Sequence, residues 1–322
     1  MRVHLVQLDI GWEDPDANFA QVEQMLSAAE VQRGDLVVLP EMFDTGFSLN
    51  ADVTADSGRT LAFVRGLAQR LGVTVQGGRT AAGGRSAFQA DASASPRGAS
   101  PRSGDLPKAT NRAPVFDCRG ELLCEYRKIH PFSFGREPER FEGGGEVMTY
   151  AWGRSAFQAD TGGAADSEPE AAPSPSGSEI ENEGTEGSAR SAALRICPAI
   201  CYDLRFPELF RIGLTMGAEA FALGANWPQA RQAHWRALAI ARAIENQAFV
   251  FAVNRTGADP HLQYAGGSIV VGPKGDVLGE LGDEEQVLSV EVDVELVRAW
   301  RREFPAWRDL RLTELRAGTP AR

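Results

Sequence analysis

Three residues able to take part in covalent chemistry follow three apolar runs in this 322-residue chain. Glu41 comes directly after DLVVLP, Lys128 after ELLCEYR, and Cys201 after ALRICPAI. Ligands of open α/β sheets bind outside the carboxyl ends of the strands. If the three runs are strands of one domain, a carboxylate, an ammonium and a thiol converge on one pocket. That set suits acyl transfer through a thiol nucleophile with a base and a fixed cation beside it.

The segment around Cys201 predicts a sharp strand-to-helix turn. The polar residues after Cys201 cannot continue a buried strand, and Pro207 favours the start of a helix because its φ is fixed. Helix-terminal amides and a nearby cation then favour a thiolate at Cys201. The alternative is a buried structural cysteine, which is our interpretation of Cys197, about 13 Å back along the strand.

The sequence around Glu41 and Lys128 also suggests a chemical role for each. Glu41 is surrounded by Met42, Phe43 and Phe47, so we expect poor solvation to raise its pKa and make it a base near neutral pH. The alternative for Glu41 is a helix cap or a surface salt bridge. Lys128 would hold an oxyanion as a fixed cation, or else be an ordinary surface lysine.

Composition excludes several classes of protein. Of the net charge of −11, eight acids lie within residues 160–189, which contain no Lys or Arg, so the remainder carries only −3. No basic face predicts binding to nucleic acid or to an anionic membrane. The chain has no signal-peptide pattern and no run of 18 apolar residues. Four cysteines do not make a disulfide scaffold in a chain of this length, which suggests a reducing cytoplasm, and their spacing does not suggest zinc.

The order of elements predicts a single α/β domain. Strand and helix alternate twice around a hairpin, and two helices in each half suggest an αββα sandwich over residues 1–307, with a tail at 308–322. The predicted helices cover 18–30, 61–71, 207–216, 231–247 and 294–302. The predicted strands cover 3–10, 36–39, 73–75, 113–118, 122–126, 147–152, 193–200, 218–223, 249–253, 268–271, 277–281 and 287–292.

Two segments, 83–108 and 153–191, interrupt this pattern. Both contain the octapeptide GRSAFQAD, at 84–91 and again at 153–160. We expect a duplicated, disordered low-complexity insertion; the alternative is a tandem docking motif for a partner. The second segment precedes the strand that ends at Cys201. It therefore enters roughly 25 Å from the thiol, and we expect it not to contact the catalytic residues.

Three motifs, LPEMFDTGF, YRKIHPF and CYDLRFPELFR, resemble the Glu–Lys–Cys signature of the nitrilase superfamily of carbon–nitrogen hydrolases. The resemblance covers residues 3–307 apart from the two interrupting segments. It implies the αββα fold, usually as a homodimer, and a mechanism without a cofactor. It also implies a second glutamate after the lysine loop, which we assign to Glu137, with Glu139 as the alternative.

Two further features of the resemblance concern the substrate. Tyr202-Asp203 stands where true nitrilases have Trp-Glu, which favours amides over nitriles. Glu41–Phe47 and Ala225-Asn226-Trp227-Pro228 look most like ω-amidases, which hydrolyse 2-oxoglutaramate and 2-oxosuccinamate. Such a substrate has a distal carboxylate, for which Arg231 is the candidate ligand.

Other substrate contacts stay open at this point. Phe43, Tyr202 and Trp227 either wall a small flat substrate or pack in the core. Arg205 is expected to pair with Glu208 or Glu245.

Other functions also remain possible. They are an amidase for deaminated glutathione or for small aliphatic amides, an ammonia-supplying glutaminase domain, and a non-catalytic binding subunit of the same fold.

Overall fold

The computed structural model describes residues 1–83, 107–153 and 193–311. Within these ranges, two mixed sheets pack face to face. The first is seven-stranded, with the order β15-β1-β2-β3-β5-β4 and β6 paired to β5. Its strands are β1 (Arg2–Gln7), β2 (Leu36–Val38), β3 (Thr74–Gln76), β4 (Arg79–Ala81), β5 (Thr110–Phe116), β6 (Leu122–Arg127) and β15 (Gln286–Glu291).

The second sheet of the described residues is six-stranded, with the order β14-β13-β10-β9-β8-β7. Its strands are β7 (Tyr150–Trp152), β8 (Leu194–Ile200), β9 (Ala220–Ala225), β10 (Phe249–Asn254), β13 (Ile269–Val271) and β14 (Val277–Glu280). A separate hairpin joins β11 (Thr256–Ala258) to β12 (Gln263–Ala265).

Helices cover the outer face of each sheet. The buried sides of α1 (Pro15–Ala28) and α3 (Arg59–Leu71) pack on the first sheet, and those of α5 (Pro207–Thr215) and α6 (Gln232–Asn246) pack on the second. The remaining helices are α2 (Ala51–Thr54), α4 (Glu137–Arg140) and α7 (Val294–Glu303). Between the sheets lies an apolar layer that includes Val3, Leu36, Ile196 and Phe251. The layers therefore run helix, sheet, sheet, helix.

Strand direction brings the ends of several strands together. β1, β2 and β3 are parallel to one another, and so are β8, β9 and β10. At this edge the two sheets approach closely, because a Cβ added to Gly224 would lie 2.5 Å from the carbonyl oxygen of Leu39. Further inside, Gln76 Nε2 donates to the carbonyl of Ala222 across the sheet interface at 3.0 Å. Residues that follow strands of both sheets therefore meet at one edge of the sandwich.

The αββα prediction is confirmed, and most predicted elements are present with ends displaced by one to three residues. Sequence patterns missed β4, β11 and β12, which are three residues long and polar at several positions. The two GRSAFQAD copies and the predicted disorder lie almost entirely outside the described residues. Trp152 and Leu194, which flank the second interrupting segment, pair directly across β7 and β8. None of the helices in the described ranges is long and apolar enough to span a bilayer.

Candidate active site

Cys201 stands on the sharp turn that the sequence predicts. β8 ends at Ile200, a 3-10 turn runs from Cys201 to Arg205, and α5 begins at Pro207. Cys201 has φ +45°, a left-handed conformation that costs a non-glycine residue energy and is typical of functional turns. The thiol-bearing residue is 8% exposed and lines a cavity. Because such a conformation is unfavourable, contacts from surrounding residues must hold the Cys201 turn in place.

Lys128 lies between two buried glutamates. Its Nζ donates to Glu41 Oε1 at 2.7 Å and to Glu137 Oε2 at 2.8 Å. All three residues are at most 1% exposed. Glu139, the alternative for the second glutamate, is exposed and pairs with Arg136. The geometry therefore favours Glu137 as the partner of Lys128.

Two asparagines complete the hydrogen bonds of the carboxylates. Asn111 Nδ2, on β5, donates to Glu41 Oε1 at 2.7 Å and to Glu137 Oε1 at 3.1 Å. Asn226, directly after β9, donates from its backbone to Glu41 Oε2 at 3.1 Å and from Nδ2 to the Glu41 carbonyl at 2.6 Å. Glu41 is therefore held by groups from both sheets, which fixes its position and favours its ionised form.

The buried charges shift one another's pKa values. Burial alone raises the pKa of Glu41, but the Lys128 ammonium and the hydrogen bonds from Lys128, Asn111 and Asn226 outweigh burial and lower it. Burial, and then the charge of Glu41, raise the pKa of Glu137 despite Lys128. Burial lowers the pKa of Lys128, but the two glutamates outweigh it, so the ammonium is retained.

Two electrostatic predictions from the sequence are wrong. Glu41 was expected to have a raised pKa, but the sequence could not show that its burial is compensated by a cation and two amides. Helix-terminal amides and a nearby cation were expected to favour a thiolate at Cys201, but burial and the charge of Glu41 raise the pKa of its thiol well above the usual value, against the opposing effect of Lys128. The resting site therefore contains the Glu41 carboxylate close to a neutral Cys201 thiol, whose pKa that carboxylate helps to raise.

Asp203 connects the turn at Cys201 to the loop that carries Lys128. Its Oδ2 accepts from the backbone of Ile200 at 2.9 Å and from the Tyr126 hydroxyl at 2.7 Å. Its Oδ1 accepts from the backbone and Nδ1 of His130 at 3.1 and 2.8 Å. Because these partners lie one or two residues from Cys201 and Lys128, the buried carboxylate fixes the two side chains relative to each other.

A cavity of about 550 Å³ opens over Cys201. Its lining is largely apolar and aromatic, with a few polar groups, as in small-molecule sites. The residues that line it are Trp12, Glu13, Phe47, Ser48, Leu49, Asn50, Phe132, Phe134, Gly135, Cys201, Asn226, Pro228, Arg231, Asp259, His261, Leu262 and Tyr264. Glu41, Lys128 and Glu137 lie beneath this lining, so Cys201 is the member of the reactive group that meets the cavity.

Three of the four predicted substrate contacts lie beside Cys201, and the fourth is buried in the core. Arg231 lines the cavity, with its guanidinium 5.3 Å from the Phe132 ring centroid. Tyr202 and Trp227 line a small recess that also contains Cys201 and Arg231. The wall assigned to Phe43 is wrong, because this ring is fully buried against Phe19 and Phe63. Met42, with φ +45°, turns the chain directly after Glu41 and directs Phe43 into the helix layer.

The pairing predicted for Arg205 is also wrong. Glu245 binds Arg242 at 2.8 Å. Arg205 instead lies over the Trp227 ring, 4.7 Å from its centroid, and 3.4 Å from His234 Nδ1. The stacking of the Arg205 guanidinium on the Trp227 ring holds that ring in position in the wall of the recess.

Over 1–83, 107–153 and 193–311, no three His, Cys, Asp or Glu side chains are grouped so as to hold a metal ion. The four cysteines are free.

This fold, with a buried Glu–Lys–Glu group under a cysteine on a strained turn, defines a hydrolase built for attack on carbon–nitrogen bonds. The sequence profile of the carbon-nitrogen hydrolase family matches residues 2–302. The chain belongs to that family.

Relatives cover nearly the whole chain. A "Hydrolase in agr operon" of Staphylococcus aureus is 30% identical over 97% of this chain and 98% of the relative. A "2-oxoglutaramate amidase" of Bacillus subtilis strain 168 is 30% identical over 96% of this chain and 97% of the relative. The crystal structure of a CN-hydrolase superfamily protein from Xanthomonas campestris, with an arsenic adduct in its active site, is 30% identical, with a TM-score of 0.74 over 98% of both chains.

Sequence reasoning missed Asn111, Asn226 and Asp203 as members of the site. Asn111 lies inside a strand pattern and carries no signal of its own. Asn226 and Asp203 do carry a sequence signal. Asn226 directly follows a buried strand, and Asp203 lies two residues after the nucleophile, at the same edge of the sheets as Glu41 and Cys201.

Proposed function

We propose that this protein is a cysteine-dependent amidase that hydrolyses the terminal amide of a small 2-oxo acid monoamide, of the 2-oxoglutaramate or 2-oxosuccinamate type. The observation that carries the proposal is the position of Cys201, at the base of a cavity that also contains Arg231 and above the buried Glu41–Lys128 pair. The similarity to the Bacillus 2-oxoglutaramate amidase supports the same substrate class.

In the proposed first step, ionised Glu41 takes the proton of the Cys201 thiol as the sulfur attacks the amide carbonyl. Transfer during attack agrees with the lowered pKa of Glu41 and the raised pKa of Cys201. Lys128 and the backbone amide of Tyr202 stabilise the oxyanion, while Glu137 holds Lys128. Glu41 then gives its proton to the departing nitrogen, which leaves as ammonia, and a thioester remains on Cys201.

In the second step, Glu41 takes a proton from a water molecule, which attacks the thioester carbonyl. The carbon–sulfur bond breaks as Glu41 returns that proton to the departing sulfur, which restores the Cys201 thiol and the Glu41 carboxylate and releases the carboxylic acid. One water is consumed and one ammonia released in each cycle. The ammonium of Lys128 stays protonated throughout because both neighbouring glutamates raise its pKa.

Arg231 is our candidate for binding the distal carboxylate of the substrate. Over the described part of the chain no carboxylate pairs with its guanidinium, and it faces the same cavity as Cys201. A guanidinium binds a carboxylate through two parallel hydrogen bonds, which would also orient the amide toward the thiol. Tyr202 and Trp227 would form the wall beside the amide.

The second candidate is a longer amide of the deaminated-glutathione type. The cavity volume of about 550 Å³ favours it, because a five-carbon substrate leaves much of that space unfilled. A plain aliphatic amide is also possible but leaves Arg231 unused. A non-catalytic subunit is the alternative of another class.

The test compares ammonia release from 2-oxoglutaramate, deaminated glutathione and propionamide, with Cys201→Ser as the inactive control. We expect the highest kcat/KM for 2-oxoglutaramate and a loss of about 100-fold in Arg231→Met, mostly in KM. Preference for either other amide would contradict the substrate assignment. No turnover and no adduct on Cys201 with a thiol-reactive amide at neutral pH would contradict the amidase proposal itself.

We further propose a homodimer, as the family resemblance implies, in the cytoplasm, which the four free cysteines suggest. Light scattering of the purified chain tests the dimer, and a single-chain mass would contradict it.

A further inference from the structure

One wall of the cavity is built by a separate hairpin, residues 256–265, which we call the wall hairpin. It contributes Asp259, His261, Leu262 and Tyr264 to the lining. Asp259 organises its turn by accepting from the Tyr264 hydroxyl at 2.5 Å and from the backbone of His261 and of Leu262 at 2.7 Å each. The His261 ring packs edge-to-face with Trp12, which also lines the cavity, with 5.8 Å between ring centroids.

The wall hairpin is fastened to the sandwich through Arg255, which follows β10. The Arg255 side chain is fully buried. Its Nη2 donates to Asp9 Oδ1 at 3.0 Å and to the Ile10 carbonyl at 3.2 Å, both just beyond β1. Within the hairpin, Nη2 donates to the Ala258 carbonyl and Nε to the Thr256 carbonyl, each at 3.0 Å. One guanidinium thus joins the end of the first sheet to the hairpin.

The same guanidinium also supports the side chain that faces the cavity. Its Cζ lies 4.4 Å from the centroid of the Tyr264 ring, on which it stacks. Packing here is tight, because a Cβ added to Gly257 would lie 2.0 Å from Asp9 Oδ1. Removal of Arg255 would take away its hydrogen bonds to Asp9, Ile10 and the hairpin carbonyls and its stacking on Tyr264. The backbone hydrogen bond from Thr256 to the Leu8 carbonyl, at 3.0 Å, would still join the hairpin to the first sheet, so the hairpin should loosen and not detach.

We infer that Arg255 is a positioning residue that sets the wall of the cavity and thereby limits the size of the amide that reaches Cys201. The inference rests on the proposed function for its link to substrate choice. The limit that the wall places on the size of molecules reaching the thiol can be measured without turnover. Among the described residues, the hydrogen bonds of Arg255 go to the hairpin and to the end of β1, and none reaches Cys201 or the Glu–Lys–Glu group. Arg255 acts through the position of Tyr264 and the turn at Asp259.

The experiment compares alkylation of Cys201 by iodoacetamide and by its bulkier N-benzyl derivative, followed by peptide mass spectrometry so that Cys201 is scored separately from the other thiols. The variants are Arg255→Met, Arg255→Lys and Tyr264→Phe. Arg301→Met is the matched control, because Arg301 also donates to three backbone carbonyls, at 2.7 to 3.1 Å, but lies on α7 and does not line the cavity.

We expect the rate ratio of the bulky to the small reagent to rise about tenfold in Arg255→Met, with smaller rises in the other two wall variants, since hydrogen bonds to a charged group are lost. Arg301→Met should leave the ratio within about twofold of wild type. An unchanged ratio in Arg255→Met, or an equal rise in Arg301→Met, would overturn the inference. If Arg255→Met does not fold, Arg255→Lys and Tyr264→Phe decide in the same way.

Turnover separates this inference from the proposed function. With 2-oxoglutaramate, Arg255→Met should raise KM about tenfold while kcat changes less than about threefold. A shifted alkylation ratio in a protein that releases no ammonia would refute the amidase proposal alone. Normal ammonia release with an unshifted ratio would refute the role of Arg255 alone.

Discussion

Replacing Asp203 with Asn should separate the nucleophile from its cation without changing the shape of the side chain. Each carboxylate oxygen accepts two hydrogen bonds, Oδ2 from Ile200 and Tyr126 and Oδ1 from the backbone and ring of His130. An Asn side chain has one acceptor oxygen. Whichever way the group is turned, its amide nitrogen therefore replaces an oxygen that accepts two hydrogen bonds and faces a backbone N–H, that of Ile200 or of His130.

The expected loss follows from those two hydrogen bonds. A hydrogen bond to a charged group contributes about 1.5 to 3 kcal/mol, and the Tyr126 hydroxyl can rotate away to relieve part of the conflict. We expect Asp203→Asn to lower the free energy of unfolding by about 3 to 5 kcal/mol. Tyr126→Phe alone should cost about 1.5 to 3 kcal/mol. Because a misplaced thiol reacts poorly, kcat/KM should fall by about 100-fold or more in Asp203→Asn.

Urea unfolding followed by tryptophan fluorescence measures the stability change, and ammonia release measures the activity. The double variant with Tyr126→Phe tests whether the two losses are coupled, as they must be for groups that share a hydrogen bond. Asp117→Asn is the control, because Asp117 is a buried aspartate whose Oδ1 accepts from Arg119 and Glu121 in the β5–β6 turn, and an Asn oxygen can replace it there. Equal stability and activity in Asp203→Asn and Asp117→Asn would refute this role of Asp203.

Three further predictions follow from other contacts. Asn111→Ala removes a hydrogen bond that lowers the pKa of Glu41, so the acid limb of kcat/KM against pH should move up by about one pH unit; an unmoved limb would contradict this. Gly78→Ala should abolish activity, since its Cβ would lie 2.7 Å from the Glu41 Cα, whereas Gly145→Ala, with open space around it, should leave the rate unchanged in the same assay. Burial raises the pKa of Asp44 from 3.8 to about 7, so the folded state loses stability as pH rises through this window. Asp44→Asn should therefore gain up to about 4 kcal/mol at pH 8 and little below pH 4, as followed by urea unfolding at both pH values; equal gains would refute it.

Long elements with a clear hydrophobic period were predictable from the sequence. α6 covers Gln232–Asn246 against a predicted 231–247, and β8 covers Leu194–Ile200 against 193–200. The wall hairpin was not predictable, because its strands have three residues each and are held by Arg255 rather than by an apolar face of their own. Its role in the cavity depends on contacts between positions that are far apart in the chain.

The candidate active site was likewise predictable only in part. Glu41, Lys128 and Cys201 were identifiable because each follows an apolar run, and their catalytic roles remain proposals. The protonation of Glu41 was not predictable, since the effect of its burial is outweighed by the Lys128 ammonium and by hydrogen bonds from Lys128, Asn111 and Asn226, which lie far from Glu41 in the sequence. The choice between a substrate wall and core packing for Phe43 was not predictable, because nothing in the sequence shows the left-handed turn at Met42.

The direct pairing of Trp152 with Leu194 has a consequence for engineering this enzyme. The two ends of the connecting peptide already meet, and the entropic cost of joining them grows only by about 0.6 kcal/mol for each doubling of loop length. The connection between Trp152 and Leu194 is therefore a suitable insertion site for a fluorescent or affinity module. It lies at the end of β8 away from Cys201. Conversely, a chain trimmed of residues 154–190 should turn over substrate at the parental rate, and a large loss of ammonia release would show that the segment serves the chemistry after all.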